Sequence, residues 1–284
     1  MIQDTTVAHH GITLPRFMYG TAWKEQETES LTYMALKAGF RSIDTANQRK
    51  HYYEAGVGHA LNTAMQQGWL TRSELFLQTK FTFVSSQDHR LPYDITADYA
   101  TQVQQSFASS LQHLQTDYID SYVLHGPYSR VGLSDIDWQV WRAMEALHRE
   151  QRVKLLGVSN VSIEQLHLLL ERAEIKPAFV QNRCYARRQW DADIRALCAE
   201  HDMIYQGFSL LTANSIEIQN PAIVAIAKRL DCQLTQLIFK FALDVNMMPL
   251  TGTTNEQHML SDLACFQLKL TEADIQTIEN IALV

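Results

Sequence analysis

The sequence lacks several features that would each announce a class of protein. Cysteine is scarce: Cys184, Cys198, Cys232 and Cys265 lie far apart inside apolar segments, and no Cys-x-x-Cys spacing occurs. Neither a zinc site nor a disulfide framework is indicated, and reduced thiols of a cytosolic protein are expected. No His-x-His or clustered His/Asp spacing follows a strand-like run, so metal-dependent chemistry is not expected. Basic runs and aromatic–basic interleaving are missing, and the formal charge is −7 with a pI near 5.9. That balance argues against nucleic acid as a partner. The opening MIQDTTVAHHGITLP has no charged stretch followed by an apolar one, so it does not read as a signal peptide. No apolar run approaches the roughly 20 residues needed to span a bilayer. Together these absences suggest a soluble cytoplasmic protein, a monomer or weak dimer, with neither membrane nor nucleic acid as a partner.

Linkers are missing too. No segment is Pro/Ser-rich, low in complexity or strongly charged, so residues 1–284 read as a single domain. What is present is an alternation of short apolar runs, polar breaks and longer stretches of helical period. The apolar runs are RFMYGTAW (16–23), RSIDTA (41–46), LFLQTKF (75–81), SYVLHGP (121–127), KLLGVSN (154–160), AFVQNRC (178–184), MIYQGFSL (203–210) and MMPLTGT (247–253). Helix-like segments lie between them at 30–38, 53–67, 97–114, 137–150, 162–170, 191–200, 221–244 and 255–265, with a last unit opening at Thr271 and Asp274. Trp138, Trp141, Met144 and Leu147 mark one buried stripe. Ser162 with Gln165 forms a capping-box pattern.

Eight strands alternating with helices predict parallel βαβ units, closed or doubly wound. No GxGxxG sequence follows a strand, which removes the usual mark of a dinucleotide-binding open sheet. TVAHHGITLP could fold as a small hairpin before the repeat. The expected fold is therefore an α/β (β/α)₈ TIM barrel of about the usual 250-residue size with a small N-terminal hairpin.

The C-terminal ends of the strand-like runs carry polar residues: Thr21, Asp44, Lys80, His125, Ser159 with Asn160, Gln181 with Asn182, Ser209, and Thr251 with Thr253. One such residue is more often a solvated loop residue than a functional one. Their recurrence at nearly every strand end is harder to dismiss, because barrel active sites are built on that face. A Lys beside an Asp can lower the pKa of a neighbouring Tyr. A neutral His can stabilise charge on a carbonyl oxygen. Ser, Asn and Gln can hold an amide flat. Such a site would protonate an oxygen while hydride reaches its carbon.

At these residues the chain resembles the aldo-keto reductase family over essentially its whole length, through GTAW, AGFRSIDTA, LFLQTKF, YIDSYVLHGP, WRAMEALHREQRVKLLGVSN, VQNRCY and GFSLL. The resemblance implies an Asp, Tyr, Lys and His tetrad using Asp44, Lys80, His125 and a tyrosine. It implies NADPH or NADH as cofactor and a small aldehyde or ketone as substrate. Ser159, Asn160 and Gln181 would bind the nicotinamide carboxamide and Phe208 would stack on its ring. Ser209 and Leu211 would face the pyrophosphate, and Gly20, Thr21 and Ala22 would line the reactive end. Trp23 suits a wall of the substrate pocket, where Phe81, Phe83 and Tyr128 are further candidates; a structural Trp and loop anchors are the plain alternatives.

The chain departs from the family pattern in three places. The usual tyrosine position, five residues after the Asp, is Arg49, and aligning from Glu54 puts His51 there instead. A longer loop would deliver Tyr52, which is favoured, or Tyr53; both could also merely start a helix. Where NADPH-preferring members grip the 2′-phosphate with a Lys-Ser pair and a later Arg, this chain reads PLTGTTNEQHML, with Leu250 and His258 near those positions. Thr251, Thr253 and Thr254 at a helix N-terminus would hold a phosphate less firmly, so weaker discrimination between the two cofactors is expected. The sequence ends at Val284 without the long C-terminal loop of many members, which predicts an open, permissive pocket. Two other readings are a cofactor-binding regulatory protein with little turnover and a Schiff-base role for Lys80.

Overall fold

The computed structural model describes residues 5–283. β1 (Thr6–His9) and β2 (Ile12–Pro15) pair antiparallel, as the TVAHHGITLP pattern predicts. The turn between them places His10 and Gly11 at φ +45° and +79°, the left-handed pair that a two-residue hairpin needs. Eight parallel strands follow and close on themselves: β3 (Met18–Gly20), β4 (Ser42–Asp44), β5 (Phe76–Phe81), β6 (Ile119–Leu124), β7 (Val153–Ser159), β8 (Phe179–Arg183), β9 (Ile204–Phe208) and β10 (Met247–Thr251), with β10 pairing back onto β3. Each of the eight apolar runs overlaps one of these strands, β6 and β7 starting one or two residues before theirs. The expected (β/α)₈ barrel is the observed fold.

The surrounding helices are α1 (Thr28–Ala38), α2 (Glu54–Gln66), α3 (Tyr99–Leu114), α4 (Asp135–Arg149), α5 (Ile163–Arg172), α6 (Ala192–Glu200), α7 (Pro221–Arg229), α8 (Leu234–Asp244), α9 (Glu256–Ala264) and α10 (Glu272–Glu279). The capping box read at Ser162 and Gln165 is formed. One helical stretch, 221–244, is two helices. The chain turns at Asp231, in the left-handed region at φ +49°, and Cys232 N–H returns to the carbonyl of Ala227. The apolar residues of both pieces share one period, which hides the break from a pattern search.

Two apolar layers hold the barrel. The larger lies between strands and helices and includes Leu77, Phe81, Phe107, Trp141, Leu166 and Phe241. The smaller fills the N-terminal mouth, where Leu14 of the hairpin packs with Met18, Phe76, Leu155, Phe179 and Met248. The hairpin is thus a floor under the barrel. Between floor and top, the interior is polar: Gln78 Nε2 donates to Gln206 Oε1 at 2.8 Å and Gln181 Nε2 to the same oxygen at 3.0 Å. α2 approaches α3 most closely at Gly58, where a Cβ would run into the backbone carbonyl of His113.

Candidate active site

β5 alternates its faces, and this alternation positions the chemistry. Gln78 and Lys80 point into the barrel, whereas Thr79 turns outward to Glu54 and Phe81 turns to Phe83 and Tyr93. Lys80 is fully buried; its Nζ lies 2.6 Å from Asp44 Oδ1 and donates to the carbonyl of Thr45 at 2.8 Å. The same Asp44 oxygen accepts from Gln78 at 2.8 Å and from Gln181 at 3.1 Å. Asp44 is therefore a buried carboxylate whose charge is met by a cation and two amides, as burial requires.

The loop between β4 and α2 decides which side chain joins them. His51 and Tyr52 N–H both donate to the carbonyl of Gln48, and Gln48 Nε2 anchors the turn to the carbonyl of Ser86 at 2.7 Å. This turn takes up the extra residues and aims Tyr52 inward. The Lys80 ammonium sits 5.3 Å from the centre of the Tyr52 ring, and the His125 ring centre is 5.8 Å away. Tyr53 lies instead under the Arg49 guanidinium, 4.5 Å from its ring centre. His51 stacks on Trp23 at 3.9 Å, with Nδ1 2.9 Å from Gln48 Oε1. Of the three candidates, only Tyr52 borders the cavity with Asp44 and His125.

Burial dominates the electrostatics of the cluster. Burial, with a further contribution from the Asp44 carboxylate, raises the Tyr52 phenol above its ordinary range. Burial also pulls Lys80 down, against the opposing carboxylate. Asp44 meets the Lys80 ammonium at contact. His125 is held well below the usual imidazole value by burial, then by Lys80 and His51. Both groups are neutral near pH 7. Thr82 Oγ1 lies 2.7 Å from His125 Nδ1, which fixes the ring.

From this cluster a cavity of about 600 Å³ runs across the top of the barrel. It is bordered by nearly all the residues expected to hold cofactor: Gly20, Ala22, Ser159, Asn160, Gln181, Phe208, Ser209, Leu211, Thr251, Thr253, Thr254 and His258. Trp23 also borders it, 71% exposed. Trp23, Asn160 and Ser209 hold φ at +62°, +52° and +57°, a left-handed backbone that non-glycine residues adopt at a cost. Asn160 Nδ2 donates to the carbonyl of His125 at 2.8 Å and to Ser159 Oγ at 3.1 Å, so the site residues brace each other. A larger groove of about 880 Å³ gathers Thr13, Pro15, Phe40 and Phe266 but none of the polar strand ends. Its size is not matched by any chemistry.

Four expected lining residues are placed elsewhere, Phe83 among them, which is buried and does not border the cavity. Thr21 is fully buried and donates its hydroxyl to the carbonyl of Asp44 at 2.9 Å, bracing β3 on β4. Phe81 faces the helical layer because it follows Lys80 by one residue on the strand. Tyr128 packs on Phe83 at 5.3 Å and does not border the cavity. Two phosphate-gripping features are also partly used. The Thr251 hydroxyl donates to Asp262 at 2.8 Å, and Asn255 caps α9 by accepting from His258 N–H at 3.1 Å.

The structure adds Lys24, Arg183, Gln233, Thr235, Gly252 and Asp262 to the cavity wall. Lys24 matters most. It is a buried cation whose Nζ donates to the carbonyl of Gly252 at 2.6 Å, and burial lowers its pKa to about 8. Its place directly after GTAW was a usable signal, since a Lys there follows a strand end. Arg183 (its guanidinium 5.9 Å from the Phe208 ring centre) was hidden in an apolar run.

A closed parallel barrel with Asp, Lys, Tyr and His converging at its C-terminal end defines a barrel protein equipped for proton transfer beside a long cleft. The comparisons narrow this class. The family model described as the Aldo/keto reductase family matches residues 17–283, and the chain belongs to that family. Among curated proteins it is 29% identical over 282 residues to the uncharacterized oxidoreductase YtbE of Bacillus subtilis (strain 168), covering 99% of this chain and 93% of that protein. It is 27% identical over 282 residues, with the same coverage, to the glyoxal reductase of that organism. Among solved structures, an aldo/keto reductase from Brucella melitensis superposes with TM-score 0.83 at 27% identity, covering 99% of each chain.

Proposed function

We propose that the protein reduces aldehydes or ketones to alcohols, and carries out the reverse oxidation, with a nicotinamide cofactor in the cleft. The observation that carries this reading is the meeting of Tyr52, neutral His125 and the Lys80–Asp44 pair at one end of the cavity. The cleft suits a dinucleotide. Phe208 offers a ring for stacking, Ser159, Asn160 and Gln181 offer amide partners, and Lys24 is a cation with no carboxylate at contact among the described residues. A bound nicotinamide supplies the hydride; the remaining work belongs to the chain.

Tyr52 holds the proton that the carbonyl oxygen takes as its carbon is reduced, and its raised phenol is in the protonated form this needs. His125 is neutral and stabilises charge growing on the same oxygen. The Thr82 hydroxyl is paired with Nδ1, which leaves Nε2 for the substrate. The Lys80–Asp44 pair packs beside the Tyr52 ring, with the ammonium 5.3 Å from its centre, and fixes the phenol's position. Trp23 borders the cleft beside the cluster and forms a wall for the substrate, with His51 packed behind it.

NAD(P)H oxidation with nitrobenzaldehyde and with small dicarbonyls tests the proposal, the latter because a relative bears the name glyoxal reductase. Turnover that disappears on Tyr52→Phe supports it. Cofactor binding without turnover on any carbonyl would point to a regulatory protein instead. With Leu250 and His258 where a Lys and an Arg would grip the 2′-phosphate, NADPH is expected to be preferred over NADH by less than about a hundredfold, since a bidentate grip from those positions is missing.

A further inference from the structure

At the opposite end of the barrel, three side chains meet that serve no step above. His9 and His10 stand at the tip of the hairpin, and Asp202 lies in the turn before β9; its backbone bond from His10 joins residues 192 positions apart. His9 Nδ1 is 3.8 Å from Asp202 Oδ1, and His10 Nε2 is 3.7 Å from Asp202 Oδ2. One ligand atom from each residue lies within 4.8 Å of the others.

His9 shows what this cluster is prepared for. Its side chain is 4% exposed, and its Nε2 lies 3.2 Å from the carbonyl of Ala178. A carbonyl only accepts, so Nε2 carries the ring proton and Nδ1 presents a lone pair. Among the described residues Nδ1 makes no hydrogen bond; it faces a carboxylate oxygen, itself an acceptor. Two acceptors facing each other across such a gap are reconciled by a cation. The backbone carbonyl on the far ring nitrogen is the outer partner that metal-bound imidazoles usually have.

We propose that His9, His10 and Asp202 form a site for a divalent transition metal of the zinc class, which clamps the hairpin floor to the β8–β9 end of the barrel. Two imidazoles and one carboxylate suit a borderline-soft ion, with water completing the shell. Metal–ligand bonds of about 2.0–2.2 Å place tetrahedral neighbours roughly 3.3–3.5 Å apart. His9 is the fixed ligand. His10 and Asp202 are 44% and 81% exposed, so side-chain rotation closes the remaining gap. On binding, His10 Nε2 exchanges the Asp202 carbonyl for the ion, and its ring proton moves to Nδ1. Both histidines bind as neutral rings and Asp202 as a carboxylate, so charge is partly balanced without a redox step.

The test uses tag-free full-length protein dialysed against EDTA. Isothermal titration with Zn²⁺ is expected to show one saturable site, weakened by about tenfold or more in His10→Ala and in Asp202→Asn. Both substitutions are on exposed side chains, and Asn keeps the left-handed backbone at position 202, where φ is +51°. The thermal midpoint should rise with Zn²⁺ in the wild type more than in Asp202→Asn, while carbonyl turnover of both variants stays at the wild-type level. Cu²⁺ loaded in place of zinc should give an EPR spectrum with two coordinated nitrogens, reduced to one in His10→Ala. No saturable uptake, or uptake unchanged in both variants, would overturn the proposal.

Discussion

Tyr52 illustrates how a single side chain depends on its surroundings. Burial keeps its phenol protonated at neutral pH, the form in which a general acid acts. Tyr52→Phe is expected to lower kcat for reduction by about 10²–10⁴-fold, whereas Tyr53→Phe and His51→Gln should leave kcat within a few-fold of wild type. Steady-state rates of the three variants separate them. His125 lies far below its ordinary value, so kcat for reduction should show no inflexion near pH 6.5; a titration there would mean a charged imidazole. Thr82→Val removes the hydroxyl at Nδ1 and is expected to cost on the order of tenfold in kcat, less than the 10²–10³ for losing an oxyanion donor outright. Cofactor KM should be unchanged in that variant. Lys24 is expected to act on cofactor instead. Deprotonation as the pH rises through about 8 should raise cofactor KM, and Lys24→Met should raise it at pH 7 by roughly tenfold, the range of a charge-assisted hydrogen bond.

At the scale of the elements, apolar period and strand-end chemistry were enough to order all eight strands, because a parallel barrel repeats one unit. Asp44, Lys80 and His125 were legible for the same reason: each lies within one residue of a strand's C-terminal end. Tyr52 was less so, since its direction depends on the hydrogen bonds to Gln48 and Ser86 that no spacing rule reports. Phe81 shows the opposite error. Treating the residues after Lys80 as one group ignored the two-residue alternation that sends Phe81 to the helices. The α7–α8 break was concealed because both helices present apolar residues in step. The α2–α3 contact gives a prediction at this scale. Gly58→Ala should destabilise by about 1–3 kcal/mol, because the added methyl must displace backbone of α3. Chemical denaturation would measure it, and a neutral outcome would show that α2 can shift freely.

For the whole molecule, the barrel divides labour between its ends. The top gathers the cleft and the convergent polar groups; the floor is closed by the hairpin and its apolar layer. Between them, Gln78, Gln181 and Gln206 form a hydrogen-bonded layer that reaches Asp44 from below. This amide layer was not foreseen, because glutamine in an apolar run has no spacing rule. Nor was the His9–His10–Asp202 cluster, whose members approach only once the hairpin folds under the barrel.

The left-handed backbone at Trp23, Asn160 and Ser209 has a consequence for how such a protein changes under selection. Each position would be relaxed by glycine, which visits that region freely, yet each borders the cleft. Heat tolerance and turnover therefore pull in opposite directions at three points on one face. A laboratory lineage selected only for survival at high temperature is expected to accumulate glycines there, becoming hardier as it grows poorer at its reaction. A lineage also screened for activity should improve its floor and helical layer instead and leave those three residues strained.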